Sequence, residues 1–185
     1  MAAATLLRVG DPAPAFSLKS GDGRTVRLSE LRGRTVVLYF YPKDDTPGCT
    51  REACGFRDAL GALTGAGAVV LGVSRDTDAS HRRFAEKYRL TFPLLSDPDA
   101  AAANAYGVYK RKSLYGRSYL GIERTTFVID AQGRIERIFS RVQVDGHIQE
   151  VLEAIRKTPG EHQAGAPQAP RARPRRLKRA PSLRR

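Results

Sequence analysis

Cysteine is scarce in this chain. Only Cys49 and Cys54 occur among 185 residues, too few for a disulfide framework. A chain of this length does not need one, because a domain of about 150 residues buries roughly 68–70% of the surface its unfolded form exposes. No stretch approaches the roughly 18 consecutive apolar residues of a membrane span. The opening MAAATLLRVGDPAP has neither the charged lead nor the long apolar run of a secretory signal. There is no internal repeat and no Gly-rich phosphate loop of the P-loop or dinucleotide type. The three histidines, His81, His147 and His162, are scattered and form no metal-ligand cluster. The expectation is a soluble protein in a reducing, cytoplasmic setting, with no membrane contact, no metal and no organic cofactor. Its two sulfurs are either inert core filling or chemistry.

Acid is nearly absent from one segment. Residues 160–185 hold eight basic residues against the single acid Glu161, so they carry +7 of the net charge of +13 and leave +6 to the rest. This Ala-, Pro- and Arg-rich segment cannot bury enough apolar surface to offset its ordering entropy, and it is expected to be a disordered tail behind a domain of residues 1–159. The basic residues 171–185 either make a weak nucleic-acid contact through phosphate neutralisation or are simply solvated. With no apolar stripe to mark a partner face, a monomer is expected.

Within the domain, FSLKSGDGRTVRLSEL reads as a hairpin, with Phe16–Leu18 and Thr25–Leu28 flanking Gly21, Asp22 and Gly23. The run Thr35–Tyr41 and the run Ala68–Ser74 are continuously apolar, the pattern of strands buried on both faces. Ala53, Phe56, Leu60 and Leu63 recur three and four apart and predict a helix from Pro47 to Leu63. Further helices are expected over Asp78–Tyr88, Asp99–Tyr106 and Gly146–Lys157, the last with Asp145 as a candidate N-cap. Residues Gly107–Gly121 read as a Gly/Tyr-rich loop, with Tyr106, Tyr109, Tyr115 and Tyr119 as its packing. Strands at TTFVID and RIERIFS are joined through Gly133. The order β-α-β-α then β-β-α implies one mixed sheet with helices on both faces, an α/β fold with an N-terminal hairpin.

Cys49 follows the buried strand that ends near Tyr41, in or near the first turn of the next helix. In open α/β sheets ligands bind beyond the carboxyl ends of strands. Pro47 suits the first helical position, and the free N–H groups and dipole of a helix start favour an anion. A thiol there should be acidified, and the thiolate is the nucleophile. Residues five apart in a helix are separated by about 7.5 Å of rise and about 140° of rotation, so their Cα atoms lie roughly 8–9 Å apart. A disulfide tolerates at most about 7 Å. Cys49 and Cys54 therefore cannot join until the first turns unwind, which suits a two-step cycle and not a static bridge.

The stretch YPKDDTPGCT resembles the peroxidatic motif of peroxiredoxins, Pro-x-x-x-Thr-x-x-Cys. A second cysteine five residues on is similar to the PrxQ type, also called bacterioferritin comigratory protein. VGDPAPAFSL, YGVYKRKSLYGRSYLGIERTTFVID and VDGH extend the resemblance over Leu7 to Lys157. Tyr109 stands where close relatives often carry tryptophan. The resemblance implies a thioredoxin-like fold and a peroxidase acting on hydrogen peroxide and alkyl hydroperoxides. Cys49 would become a sulfenic acid, and Cys54 would resolve it to an intramolecular disulfide, which thioredoxin or a similar dithiol would reduce. Thr46 would hydrogen-bond the peroxide, Pro42 would shield the sulfur from water, and Arg124 would stabilise the developing negative charge. Taken singly, Thr46 could be only an N-cap, Pro42 a strand end and Arg124 a solvated charge. The residues also give an independent route to Arg124: if strand Thr125–Ile129 runs opposite to Val36–Tyr41, its start lies beside Cys49. Glu52, one turn after Cys49, is placed to orient an arginine. The competing reading is a protein disulfide oxidoreductase, against which stand the wide cysteine spacing and the lack of a proline in ERTTF.

Overall fold

A computed structural model describes residues 6–157; the basic segment 160–185 lies outside the described residues. The strands are β1 (Ser17–Ser20), β2 (Thr25–Arg27), β3 (Thr35–Phe40), β4 (Ala68–Ser74), β5 (Leu94–Ser96), β6 (Tyr109–Leu114), β7 (Arg117–Ile122), β8 (Thr125–Ile129) and β9 (Ile135–Phe139). The helices are α1 (Pro47–Gly65), α2 (Asp78–Tyr88), α3 (Ala101–Ala105) and α4 (His147–Lys157), with one 3-10 turn at Leu28–Leu31. Seven strands form a mixed sheet in the order β2-β1-β5-β4-β3-β8-β9. β3 runs parallel to β4, and β4 parallel to β5. β8 runs antiparallel to both β3 and β9. The expected architecture, a thioredoxin-like mixed sheet with helices on both faces, is the one observed.

Alternation along β3 divides the core in two. Val36, Leu38 and Phe40 pack with Phe127, Tyr106, Ala102 and Ile122 on the face that carries α3. Val37, Tyr39 and Tyr41 pack with Phe56 and Leu63 of α1, Phe84 of α2 and Val151 and Ile155 of α4 on the other. Each large apolar side chain taken fully from water contributes about 1.5–3 kcal/mol, so β3, buried from Val36 to Phe40, is a rigid base for the loop that leaves its end.

The loop expected over Gly107–Gly121 is instead the hairpin β6–β7, paired from Tyr109↔Ile122 to Leu114↔Arg117. Tyr115 and Gly116 both have positive φ, 49° and 75°, the geometry of a two-residue primed turn. The sequence hides it because tyrosine stands where such turns favour Asn or Asp, and because Lys110, Arg111 and Lys112 break any apolar alternation. Tyr106 is buried as expected, but Tyr115 is 96% exposed and Tyr119 is 48% exposed, so neither packs the segment. At the chain's other end α4 begins at His147, and the Asp145 carboxylate accepts from Arg51 at 3.1 Å.

Candidate active site

Beyond Phe40 the chain leaves the sheet through residues 41–46 and enters α1. This loop is pinned to α2 from two positions. The buried Asp44 carboxylate accepts from Tyr41 Oη at 2.7 Å and Ser80 Oγ at 2.8 Å, and lies 2.9 Å from His81 Nδ1. Asp45, at φ 55°, accepts from Lys87 Nζ at 2.7 Å and Tyr88 Oη at 2.6 Å. Left-handed backbone is tolerated by aspartate, and here the side chain's own bonds hold it. Burial works against ionising Asp44, yet its bonds to His81, Tyr41 and Ser80 prevail and hold its pKa below the usual 3.8.

Thr46 occupies the N-cap position of α1, with φ −92° and ψ 152°, but its side chain does not cap the helix. Its Oγ1 donates to the Lys43 carbonyl at 3.0 Å. That proton is committed backwards, so the hydroxyl oxygen is left with lone pairs to accept a bond. Thr50 N–H to Thr46 O, at 2.8 Å, is the first bond of the helix. Gly48 and Cys49 therefore have no intrahelical acceptor for their N–H groups, and the positive end of the dipole lies at Cys49.

Cys49 is 1% exposed. Phe40, at the end of β3, pairs with Thr125, at the start of β8, and this antiparallel register carries the preceding residue, Arg124, to the sulfur. Arg124 Nη2 donates to Cys49 Sγ at 3.3 Å, and its Nη1 forms an ion pair with Glu52 Oε2. Gly48 makes room for this approach, since a Cβ there would stand 3.2 Å from Arg124 Nη2. Glu52 is fully buried, and its second oxygen, Oε1, has no hydrogen-bond partner. Burial pushes its pKa up to about 7, against the pull of Arg124.

The structure thus brings Cys49, Arg124 and Glu52 into contact, with Thr46 at the mouth of the same helix turn. Cys54 lies on the intact α1, half-buried, and both cysteines are free thiols. Pro42 is exposed and lines a cleft of about 510 Å³ with Lys43, Lys112, Tyr119 and Ile122. Two features were not anticipated. One is the Tyr41–Asp44–His81 network, whose members lie up to 40 residues apart; the signal available was a histidine three residues before Phe84 on the apolar face of a helix. The other is Lys112, whose ammonium donates to the Ile122 carbonyl and whose pKa is lowered by burial. Among the described residues no group of histidine, cysteine and carboxylate side chains could hold a metal ion, and no helix is long and apolar enough to cross a membrane.

Residues 9–138 match the AhpC/TSA family. A bcp-type peroxiredoxin of Coxiella burnetii is 51% identical over 146 residues, covering 79% of this chain and 97% of the relative. Peroxiredoxin Bcp of Bacillus subtilis is 45% identical over 150 residues, covering 81% and 96%. Among solved structures, the bacterioferritin comigratory protein of Xanthomonas campestris superposes with a TM-score of 0.75 at 40% identity, covering 83% of this chain and 98% of that one. With a cysteine, an arginine and a carboxylate assembled at the strand-to-helix junction of a thioredoxin-like fold, and with these relatives matched along nearly their full length, the chain belongs to the AhpC/TSA family, in its Bcp or peroxiredoxin Q branch.

Proposed function

We propose that Cys49 is the attacking sulfur of this thiol-dependent peroxidase and Cys54 the sulfur that resolves it. The observation that carries the reading is the Arg124 guanidinium 3.3 Å from Cys49 Sγ in the first turn of α1. The Cys49 thiolate attacks one peroxide oxygen, an S–O bond forms as the O–O bond breaks, and the second oxygen leaves as an alkoxide or hydroxide that takes a proton from water. Arg124 and the free N–H groups of the first turn face the charge that develops on both oxygens, the usual main source of rate in such sites. Thr46 Oγ1 accepts the peroxide hydrogen and so aligns the bond to be broken, and Pro42 forms the outer rim that limits water. Glu52 is a positioning residue that holds the guanidinium.

Cys49 is then a sulfenic acid. Once the first turns of α1 unwind, the Cys54 thiolate attacks the Cys49 sulfur and expels hydroxide, which leaves as water, and a disulfide remains. A thioredoxin-like dithiol returns two electrons and two protons. The X. campestris structure is described in terms of alkyl peroxide reduction, which supports alkyl hydroperoxides alongside hydrogen peroxide as substrates here. A reducing cytoplasm and a monomeric state complete the reading, with contact between residues 171–185 and nucleic acid as a property separate from catalysis. The disulfide-oxidoreductase alternative is not favoured, because the relatives are peroxiredoxins.

Steady-state peroxide consumption with a dithiol reductant tests the assignment. Cys49→Ser is expected to abolish it, whereas Cys54→Ser should retain one turnover and accumulate a sulfenic acid that a dimedone-type probe captures. Full activity in Cys49→Ser would overturn the mechanism.

A further inference from the structure

We propose that one face of the β6–β7 hairpin is the docking surface for the protein that reduces the oxidised enzyme, and that this partner presents an acidic rim around its dithiol. The proposal rests on the Cys49–Cys54 cycle above.

Cross-strand partners share a face of the ribbon. Lys112 pairs with Tyr119 and Leu114 pairs with Arg117, so these four side chains form a single strip. Its inner end, Lys112 and Tyr119, lines the cleft that Pro42 also lines. Its outer end, Leu114 and Arg117, reaches the tip, where Leu114 is 56% exposed. The strip therefore runs without a break from the cleft beside Pro42 to the exposed Leu114 at the hairpin tip, next to Tyr115, which is 96% exposed. A two-stranded ribbon with these apolar groups in water gains little stability from them, and contiguous exposed apolar groups beside charge mark interaction sites.

Charge selects the partner. Lys43, Arg75 and Lys112 line the cleft against the single carboxylate of Asp76. Arg75 is bonded to the Pro98 carbonyl and Tyr109 Oη, and Lys112 to the Ile122 carbonyl. Arg117 has no carboxylate partner among the described residues. A second copy of this chain would set these cations against themselves, so an acidic partner fits and a self-interface does not. Seated on the strip, such a protein stands beside Pro42, on the loop that leads into α1, and against Lys112, which lies close enough to Cys49 to feel its charge. One of its thiolates attacks a sulfur of the Cys49–Cys54 disulfide and releases the other as a thiolate; its second thiol breaks the mixed disulfide and leaves oxidised. Patches of complementary charge act mainly on encounter rate and selectivity, so the strip sets the efficiency of the protein reductant and not the peroxide step.

The test uses the full chain carrying Leu114→Ser with Arg117→Glu, neither residue touching the reacting sulfurs, and Arg117→Lys as the charge-keeping control. Three rates are followed: oxidation by one equivalent of hydrogen peroxide, reduction by dithiothreitol, and reduction by an acidic thioredoxin. The expected result is unchanged oxidation and unchanged dithiothreitol reduction, with kcat/KM for thioredoxin lowered about tenfold and its salt dependence flattened. Arg117→Lys should restore most of the rate. An equal loss with dithiothreitol would overturn the proposal by showing that the hairpin supports the chemistry itself. An unchanged thioredoxin rate, with or without loss of binding to a single-stranded oligonucleotide, would overturn it too. If peroxide never joins Cys49 to Cys54 in the unsubstituted protein, the cycle fails before the hairpin is reached, and that outcome is visible separately in the intact mass after the oxidation step, as added oxygen in place of the loss of two hydrogens.

Discussion

Glu52 holds a carboxyl group against its own solvation: no exposure, one oxygen on Arg124 and the other with no partner. Its pKa is raised from 4.5 to about 7, first by burial. A carboxyl that keeps its proton longer when folded binds more protons in the native state than in the unfolded one between those two values. Stability from this group must therefore fall as pH rises from about 4.5 to about 7. Glu52→Gln removes that slope. Denaturant unfolding of the reduced protein at pH 5 and pH 8 should show wild type losing ground to Glu52→Gln at the higher pH. A stability difference that does not change with pH would contradict the buried, uncompensated oxygen. Cys49 and Arg124 were readable from their motifs, and Glu52 from its place one helical turn after the sulfur. Its fully buried, half-satisfied state was not, because burial there depends on the long-range packing of α1 into the core it shares with β3 and α4, which spacing along one helix does not reveal.

At the scale of elements, α1 both sets the site and blocks its completion. With Cys49 and Cys54 in one regular helix, resolution waits on unwinding. Arg51 lies between them, exposed, with only a surface pair to Asp145 at 3.1 Å. Glycine inside an exposed helix costs about 1 kcal/mol relative to alanine, and that cost is relieved when the turn unwinds. Arg51→Gly should therefore form the disulfide about fivefold faster than Arg51→Ala after a peroxide pulse, followed by acid quench and mass measurement. Equal rates would mean that helix opening does not limit resolution. The strands Thr35–Phe40 and Ala68–Ser74 and the helix Asp78–Tyr88 were legible because they are long and strongly patterned. The β6–β7 hairpin was not, since it pairs only with itself and its turn uses Tyr115 in a left-handed conformation.

For the whole molecule, the buried Asp44–His81 pair joins the loop beyond the sheet to the α2 layer. No periodicity announces a contact between positions 37 residues apart, so sequence alone could not show it. Replacing the buried carboxylate on which Tyr41, Ser80 and His81 converge leaves buried donors without their acceptor, at a cost of about 3 kcal/mol. Asp44→Asn should lower unfolding stability by that order at neutral pH. Because the folded pKa of Asp44 lies below 3.8, its contribution is complete above that value and is lost as pH falls through the folded one. The deficit of the variant should therefore shrink in acid, and a deficit that stayed constant to low pH would contradict the pair.

The account turns on Cys49 reacting first, at the amino end of α1, and on Cys54 reaching it only afterwards. The most direct measurement is the intact mass and peptide map of the reduced protein after one equivalent of hydrogen peroxide without reductant. The prediction is a monomer lighter by two hydrogens, with Cys49 and Cys54 in one cross-linked peptide pair, and no such product from either serine variant. Oxygen addition at Cys54 with Cys49 left as a free thiol would contradict it.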